Sequence, residues 1–441
     1  MDTIAGLPFF PLEITKDGQL FSQQQKTAIE NAASQAGADK VTDFFVISHG
    51  WNNDMAEARS LYAGLFKNVV ALIPKHASLA NRKFAIVGVF WPSKKFADDE
   101  LIPAGGAASI GGGADLSSSA LKQKLEGLKG TFDVPDAAKL DRAKALVDGI
   151  EDSPAKQKEF VDIIRSLVPK TSSDPTDDAS DRFLGRPASG MLTALSAPPV
   201  MAPPPAGGGG ALGLDDEAGA AASLGDFFSG VKAAASRLLN FATYYQMKER
   251  AGLVGTALNE MLAAIRKLRP DVRIHLIGHS FGARVVTAAV DGPVSVRPAS
   301  LALLQGAFSH NGFAENFDGE ADGFFRKVVS QSKVDGPIFA THTANDKAVG
   351  IAYAVASRLS GDNANSVALG DENDPFGGIG RNGAVKLKPA EFVKGTLLAE
   401  TAAYQFTAKK IHNLRADNFI SGHSDIEGPQ VANAILFAAG A

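Results

Sequence analysis

The chain has 441 residues, 45% of them apolar, enough for one large domain carrying an insertion or for two ordinary domains. A net charge of −4, with basic residues scattered along the chain, argues against nucleic acid or an anionic membrane as partner. The absence of cysteine excludes a cysteine nucleophile, thiolate metal sites and disulfides, and leaves the redox compartment open.

The N-terminus, M-D-T-I-A-G-L-P-F-F-P, lacks the basic region and sustained apolar core of a secretory signal. No stretch has the apolar length of a transmembrane helix, so a cytoplasmic protein is expected. The first buried-strand pattern is Asp43 to Ser48, D-F-F-V-I-S, leading into H-G-W-N-N-D; a second is Lys83 to Phe90, leading into W-P-S. Between them, Met55, Ala58, Leu61, Tyr62, Leu65, Phe66, Val69 and Leu72 recur at helical spacing up to Pro74. Strands alternating with helices predict an α/β class with a mostly parallel, doubly wound sheet.

The alternation breaks from Asp98 to about Leu238. This stretch opens with a Gly/Ala/Ser-rich loop, Pro103 to Asp115, and continues with amphipathic helices at Ala138 to Val147 and Ala155 to Leu167. Ser153 is placed to cap the second helix, with Pro154 at its first position. The run Ala197 to Gly213, rich in proline and glycine, cannot build a packed core. The expected organisation is therefore a core of residues 1–97 and 238–441, interrupted by a 98–237 insertion made of a helical cap and a flexible tether. No internal repeat is visible.

Phe241 to Leu268 reads as a long helix feeding the strand R-I-H-L-I-G-H, which runs into Gly278-x-Ser280-x-Gly282. With 45 glycines in the chain, a chance G-x-S-x-G has an expectation of about 0.3, so the pattern alone is weak. Its flanks carry the weight. Ile274, Leu276 and Ile277 form a buried strand, and Val285, Val286, Ala289 and Val290 share one helical face. Strand, turn and helix together make a nucleophile elbow, whose glycines avoid collisions with the neighbouring strand and helix. Later strands are expected at Leu301 to Leu304, Pro337 to Thr341 and Asp417 to Ile420, before a terminal helix from Pro429 to Ala439.

A serine hydroxyl needs a base, and the base an orienting carboxylate, supplied at later strand ends in the order acid then histidine. Asp346, in T-A-N-D-K after the strand I-F-A-T-H, fits the acid; Asp318 is an alternative, and Asp335 lies at the wrong edge. His423, in S-G-H-S-D, fits the base, with Gly422 allowing a tight approach. His275, His279 and His412 read as packing or hydrogen-bonding positions, and His310 and His342 precede suitable strand-end geometry. The developing oxyanion needs backbone donors. The N–H of Phe281, which follows the candidate nucleophile, is one; the N–H of Trp51, in the loop that Gly50 allows to turn, is the other, unless His49 and Trp51 simply pack that loop. The acidic stretch Gly370 to Pro375 lacks the alternating ligands of a calcium loop and reads as solvated surface.

Over about residues 40–95 and 240–440 the chain resembles the α/β-hydrolase superfamily. It is most similar to bacterial hydrolases whose oxyanion loop reads H-G-[WFY]-N and whose elbow reads G-H-S-x-G-[AG]-R. The resemblance implies the α/β-hydrolase fold and esterase- or lipase-like hydrolysis of a small-molecule ester through an acyl-Ser280 intermediate, with no metal or organic cofactor. Trp51 and Phe281 near the site, and Met, Leu and Phe in the cap, suit an apolar acyl group. Two alternatives share the same residues: an acyltransferase, in which an alcohol replaces water, and a catalytically silent scaffold whose insertion binds a protein partner. The long insertion departs from the pattern and bears on substrate access.

Overall fold

The computed structural model describes residues 2–37, 40–51, 53–93, 117–168, 184–196, 230–319, 321–350, 373 and 376–441. In chain order the elements are β1 (Thr3–Ile4), β2 (Leu7–Glu13), α1 (Gln23–Ser34), β3 (Asp43–Ser48), α2 (Met55–Leu72), β4 (Phe84–Phe90), α3 (Ser118–Gly127), α4 (Ala137–Leu146), α5 (Pro154–Arg165), α6 (Ala188–Ser196) and α7 (Val231–Leu268). They continue as β5 (Arg273–His279), α8 (Phe281–Asp291), β6 (Ser300–Leu304), α9 (Arg326–Ser330), β7 (Ile338–His342), α10 (Ile379–Asn382), β8 (Phe392–Thr396), β9 (Ile411–Arg415) and α11 (Pro429–Gly440). The chain divides into two compact units, one of Met1–Lys94, Arg250–Val349 and Gly377–Ala441, the other of Lys95–Glu249 and Gly350–Phe376.

The first unit is α/β. Its sheet has the order β1-β2-β4-β3-β5-β6-β7-β9-β8, parallel throughout except for the β1–β2 pair. Strands β3 and β4 are buried at every residue, the signature of parallel strands covered on both faces. Phe45, Phe84, Ile277, Ala302 and Phe339 form one continuous core with Leu65, Phe66 and Val69 of α2 and Val431 and Ile435 of α11. Burying each large side chain there contributes about 1.5–3 kcal/mol. Helix α2 begins where Asp54 accepts the Ala56 and Glu57 N–H groups and Glu57 returns a bond to the Asp54 N–H, so the loop after β3 is confined to residues 49–54.

Sheet order reverses direction between β3 and β5, which is where open α/β sheets leave a crevice at their carboxyl ends. Ser48 pairs with Gly278, so the loops leaving β3 and β5 emerge side by side.

Two expectations are corrected, and two strands were not expected. Asp417 to Ile420 is a turn rather than a strand; the strand is Ile411–Arg415, whose central His412 and Asn413 obscure its pattern. Strands β2 and β8 carry no recognisable signal, β2 because of Pro8 and Pro11, and β8 because it is an exposed edge strand containing Gly395. Helix α7 starts ten residues before Phe241, at Val231, through an alanine-rich stretch of good helix formers.

In the second unit, α5 begins as its sequence dictates: the Ser153 hydroxyl accepts the Lys156 N–H and Pro154 occupies the first turn. Helices α3 and α6, which carry no assigned pattern above, join α4 and α5, and Leu125, Leu140, Phe160, Ile164 and Met191 are buried. The 103–115 loop, the 197–213 tether and, apart from Asn373, the 370–375 loop lie outside the described residues. Among the described residues no helix is long and apolar enough to cross a membrane.

Candidate active site

Ser280 stands between β5 and α8 with φ 56° and ψ −124°, a region that costs a non-glycine residue about 1–3 kcal/mol. Three backbone bonds hold it there. Its N–H donates to Leu304 O (3.1 Å), and its carbonyl accepts the N–H groups of Ala283 and Ala307 (both 3.0 Å). A Cβ on Gly278 would lie 2.4 Å from Ala283 Cα, and one on Gly282 2.1 Å from Ser48 O, so both positions exclude any side chain.

His423 meets Ser280 through Nε2, which accepts the hydroxyl hydrogen at 2.8 Å, while Nδ1–H donates to Asp346 Oδ2 at 2.9 Å. Asp346 is fully buried, and its Oδ1 accepts the Val349 N–H at 3.0 Å. The structure thus brings together Ser280, His423 and Asp346 from three separate loops. It leaves Asp318 in a turn, bonded to the Ala321 N–H, and Asp335 at the surface with Arg297.

The acid and base loops are tied to each other by the turn at Asp417. Asp417 Oδ1 accepts from the Thr343 hydroxyl (2.8 Å) and the Ala344 N–H (3.1 Å), and Asn345 Nδ2 donates to the carbonyls of Asp417 and Ile420. Burial opposes ionisation of Asp417, but the bonds from Thr343, Ala344 and Arg415 outweigh it and hold its pKa below the usual range. Gly422 plays no part by close approach, since a Cβ there would meet nothing within 4 Å.

The loop after β3 lies against the candidate nucleophile. A Cβ on Gly50 would stand 2.5 Å from Ser280 Cβ, so Gly50 serves proximity rather than an unusual turn. His49 is buried and stacked on Trp91. Its Nε2 accepts the Trp91 N–H (3.3 Å) and its Nδ1–H donates to Gly50 O (2.9 Å). Burial depresses its pKa to about 4, against a smaller opposing effect of the Gly50 bond, so the ring is neutral. The Trp51 ring meets Phe281 edge-on at 5.9 Å, and Phe281 opens α8, whose first-turn amides point out of the helix end.

Two residues lie beside this constellation: His279, which packs and hydrogen-bonds there as its position next to the elbow suggested, and Gln305, which the sequence did not single out. His279 packs its ring 5.1 Å from that of His423 and donates from Nε2 to the His423 carbonyl (2.9 Å). Burial, reinforced by the neighbouring His423, drives its pKa to about 3. Gln305, directly after β6, donates from Nε2 to Asp346 Oδ2 at 3.1 Å. The available signal was a polar residue terminating the apolar run S-L-A-L-L, in the slot where strand ends present side chains to a site.

A second serine–histidine–aspartate chain lies towards the amino ends of β3, β5 and β6 in the same sheet. His275 Nε2 meets Asp43 Oδ1 (2.9 Å) and Nδ1 meets Ser300 Oγ (2.9 Å), with all three residues buried. Burial holds the His275 pKa below its usual value, and Asp43, although burial opposes its ionisation, is held below the usual carboxylate range by bonds from His275 and Thr42 and the charge of Arg82. Among the described residues no group of three or more histidine and acidic side chains is placed to hold a metal ion. Compared with protein-family models, curated proteins and solved structures, the chain matches none.

Proposed function

We propose that the chain is a serine hydrolase of the α/β-hydrolase type, cleaving carboxylic esters with apolar acyl groups through an acyl-Ser280 intermediate. The observation that carries this reading is the continuous hydrogen-bonded path from Ser280 Oγ through His423 to Asp346, at 2.8 and 2.9 Å, ending on a serine held at positive φ. The mostly parallel sheet and the order serine, aspartate, histidine along the chain support it.

In this mechanism His423 Nε2 takes the hydroxyl proton as Ser280 Oγ attacks the ester carbonyl carbon. The carbonyl oxygen becomes an oxyanion facing the N–H groups of Phe281 and Trp51, at the positive end of α8. Collapse of the tetrahedral intermediate expels the alcohol, which receives its proton from His423. Water then loses a proton to the same nitrogen and attacks the acyl carbon, releasing the acid and restoring Ser280. Asp346 accepts Nδ1–H throughout, fixes the tautomer and stabilises the imidazolium. The edge-to-face pair Trp51–Phe281 gives the acyl chain an apolar wall.

Labelling with a fluorophosphonate, followed by an ester chain-length series, tests the reading. Label is expected on wild type, none on Ser280→Ala, and a rate lower by about 10⁴-fold or more on His423→Ala. Folded wild-type protein that neither labels nor cleaves any ester would overturn it.

A further inference from the structure

Gln305 is fully buried, and its backbone is left-handed at φ 46°, a conformation a side-chain-bearing residue adopts only under constraint. Its N–H donates to Thr341 Oγ1 at 3.1 Å. Its side-chain Nε2 makes two bonds, to Asp346 Oδ2 (3.1 Å) and to Gly380 O (2.8 Å). Both partners are pure acceptors, so the amide must turn its NH2 group to them; reversed, its oxygen would face a carboxylate and a carbonyl. The same Gly380 carbonyl accepts the Thr343 N–H (3.0 Å), which anchors the amide to the segment that presents Asp346. Asp346 Oδ2 is also the oxygen that receives Nδ1–H of His423.

We infer that Gln305 is a positioning residue of the relay, acting on His423 through Asp346; this rests on the proposal that Ser280, His423 and Asp346 are catalytic. The amide fixes the rotation of the carboxylate so that Oδ2 faces Nδ1. It also shares the charge of that oxygen. Without the donor, Oδ2 becomes more basic, holds the imidazolium proton more firmly, and His423 deprotonates at higher pH. The other titratable groups around the pair make these contacts without the Gln305 amide: His279 against the His423 ring, Asp417 and Arg381 bonded to the acid loop, and Asp425 bonded to Ser421 on the base loop.

The test is the pH profile of kcat/KM for an activated ester in wild type, Gln305→Met and Gln305→Glu, with Ser280→Ala as reference. Gln305→Met keeps the length and removes the donors. Its acid limb is expected to move up by about half a pH unit or more, and its kcat to fall about tenfold to a hundredfold with KM nearly unchanged. Gln305→Glu is isosteric and guards against misfolding. Its carboxyl must stay protonated beside Asp346, so activity should fall with rising pH where wild type is on its plateau. In an Asp346→Asn background, Gln305→Met should have no further effect. Folded variants whose profiles match wild type, while activity still depends on Ser280, would overturn the role of Gln305 alone. Wild-type activity that survives Ser280→Ala would instead remove the relay, and the role of Gln305 with it.

Discussion

At Gly50 one methyl group decides whether the loop after β3 can rest on Ser280. The added Cβ of Gly50→Ala would sit 3.0 Å from Ser280 Oγ and 2.5 Å from its Cβ, closer than real side chains come, so the loop must retreat. The peptide that retreats carries the Trp51 N–H on one side and, on the other, the Gly50 carbonyl held by neutral His49. We expect Gly50→Ala to lower kcat/KM for ester hydrolysis by about 10²–10³-fold, the loss typical of one missing oxyanion donor, with the thermal midpoint nearly unchanged. Proportional loss of both in parallel assays would mean that the glycine serves folding. The sequence pattern H-G-W marked this loop, but not the reason for the glycine. A turn requirement and a contact with a residue 230 positions away look identical in one dimension, and only the second is present.

Among the elements, Tyr62 is the strut that joins two strand ends. Its hydroxyl accepts the His49 N–H at 2.9 Å and donates to Val89 O at 2.6 Å, from a fully buried position on α2. Tyr62→Phe removes both of these buried bonds. The expected cost is about 1–3 kcal/mol, read as a lower urea midpoint at unchanged slope, with ester turnover falling as the loop loosens. Unaltered stability would show that water or a shifted backbone takes over both bonds. Strands β3, β4, β5, β6 and β7 were legible because central parallel strands are apolar on both faces. Strand β9 was not, since His412 and Asn413 look polar until their partners are known: the Thr407 N–H for one, the backbone of Ala384 for the other. The turn at Asp417 was mistaken for a strand for the converse reason. Its Phe419 and Ile420 are apolar, while the bonds that make it a clamp reach back to residues 343–345.

For the whole molecule, desolvated histidines set the response to acid. His49 and His279 are buried, with pKa values depressed to about 4 and about 3, and His342, half-buried at the end of β7, is depressed to about 4, desolvation being the largest cause in each. In the unfolded chain all three would titrate near the ordinary value of about 6.5. Above that pH neither state carries their protons, and stability is unaffected. As pH falls from about 6.5 towards 4, the unfolded chain binds protons that the folded chain refuses, so stability drops by about 1.4 kcal/mol per pH unit per fully titrating histidine. Urea midpoints should therefore fall steeply between about pH 6.5 and 4, and a flat profile over that window would contradict the desolvation of these rings.

The two serine–histidine–aspartate chains at opposite ends of the sheet have a consequence for counting. A search for the three side-chain types by interatomic distance alone would find both, at nearly equal spacing. Yet Ser300 lies on regular strand backbone beside an imidazole whose nitrogens are reversed, with Nε2 rather than Nδ1 towards the acid. A serine-directed reagent should consequently saturate at a single equivalent per chain, and Ser300→Ala should leave that stoichiometry intact. Titration with a covalent inhibitor would then report how many sheet ends bear an elbow, not how many serines touch a histidine.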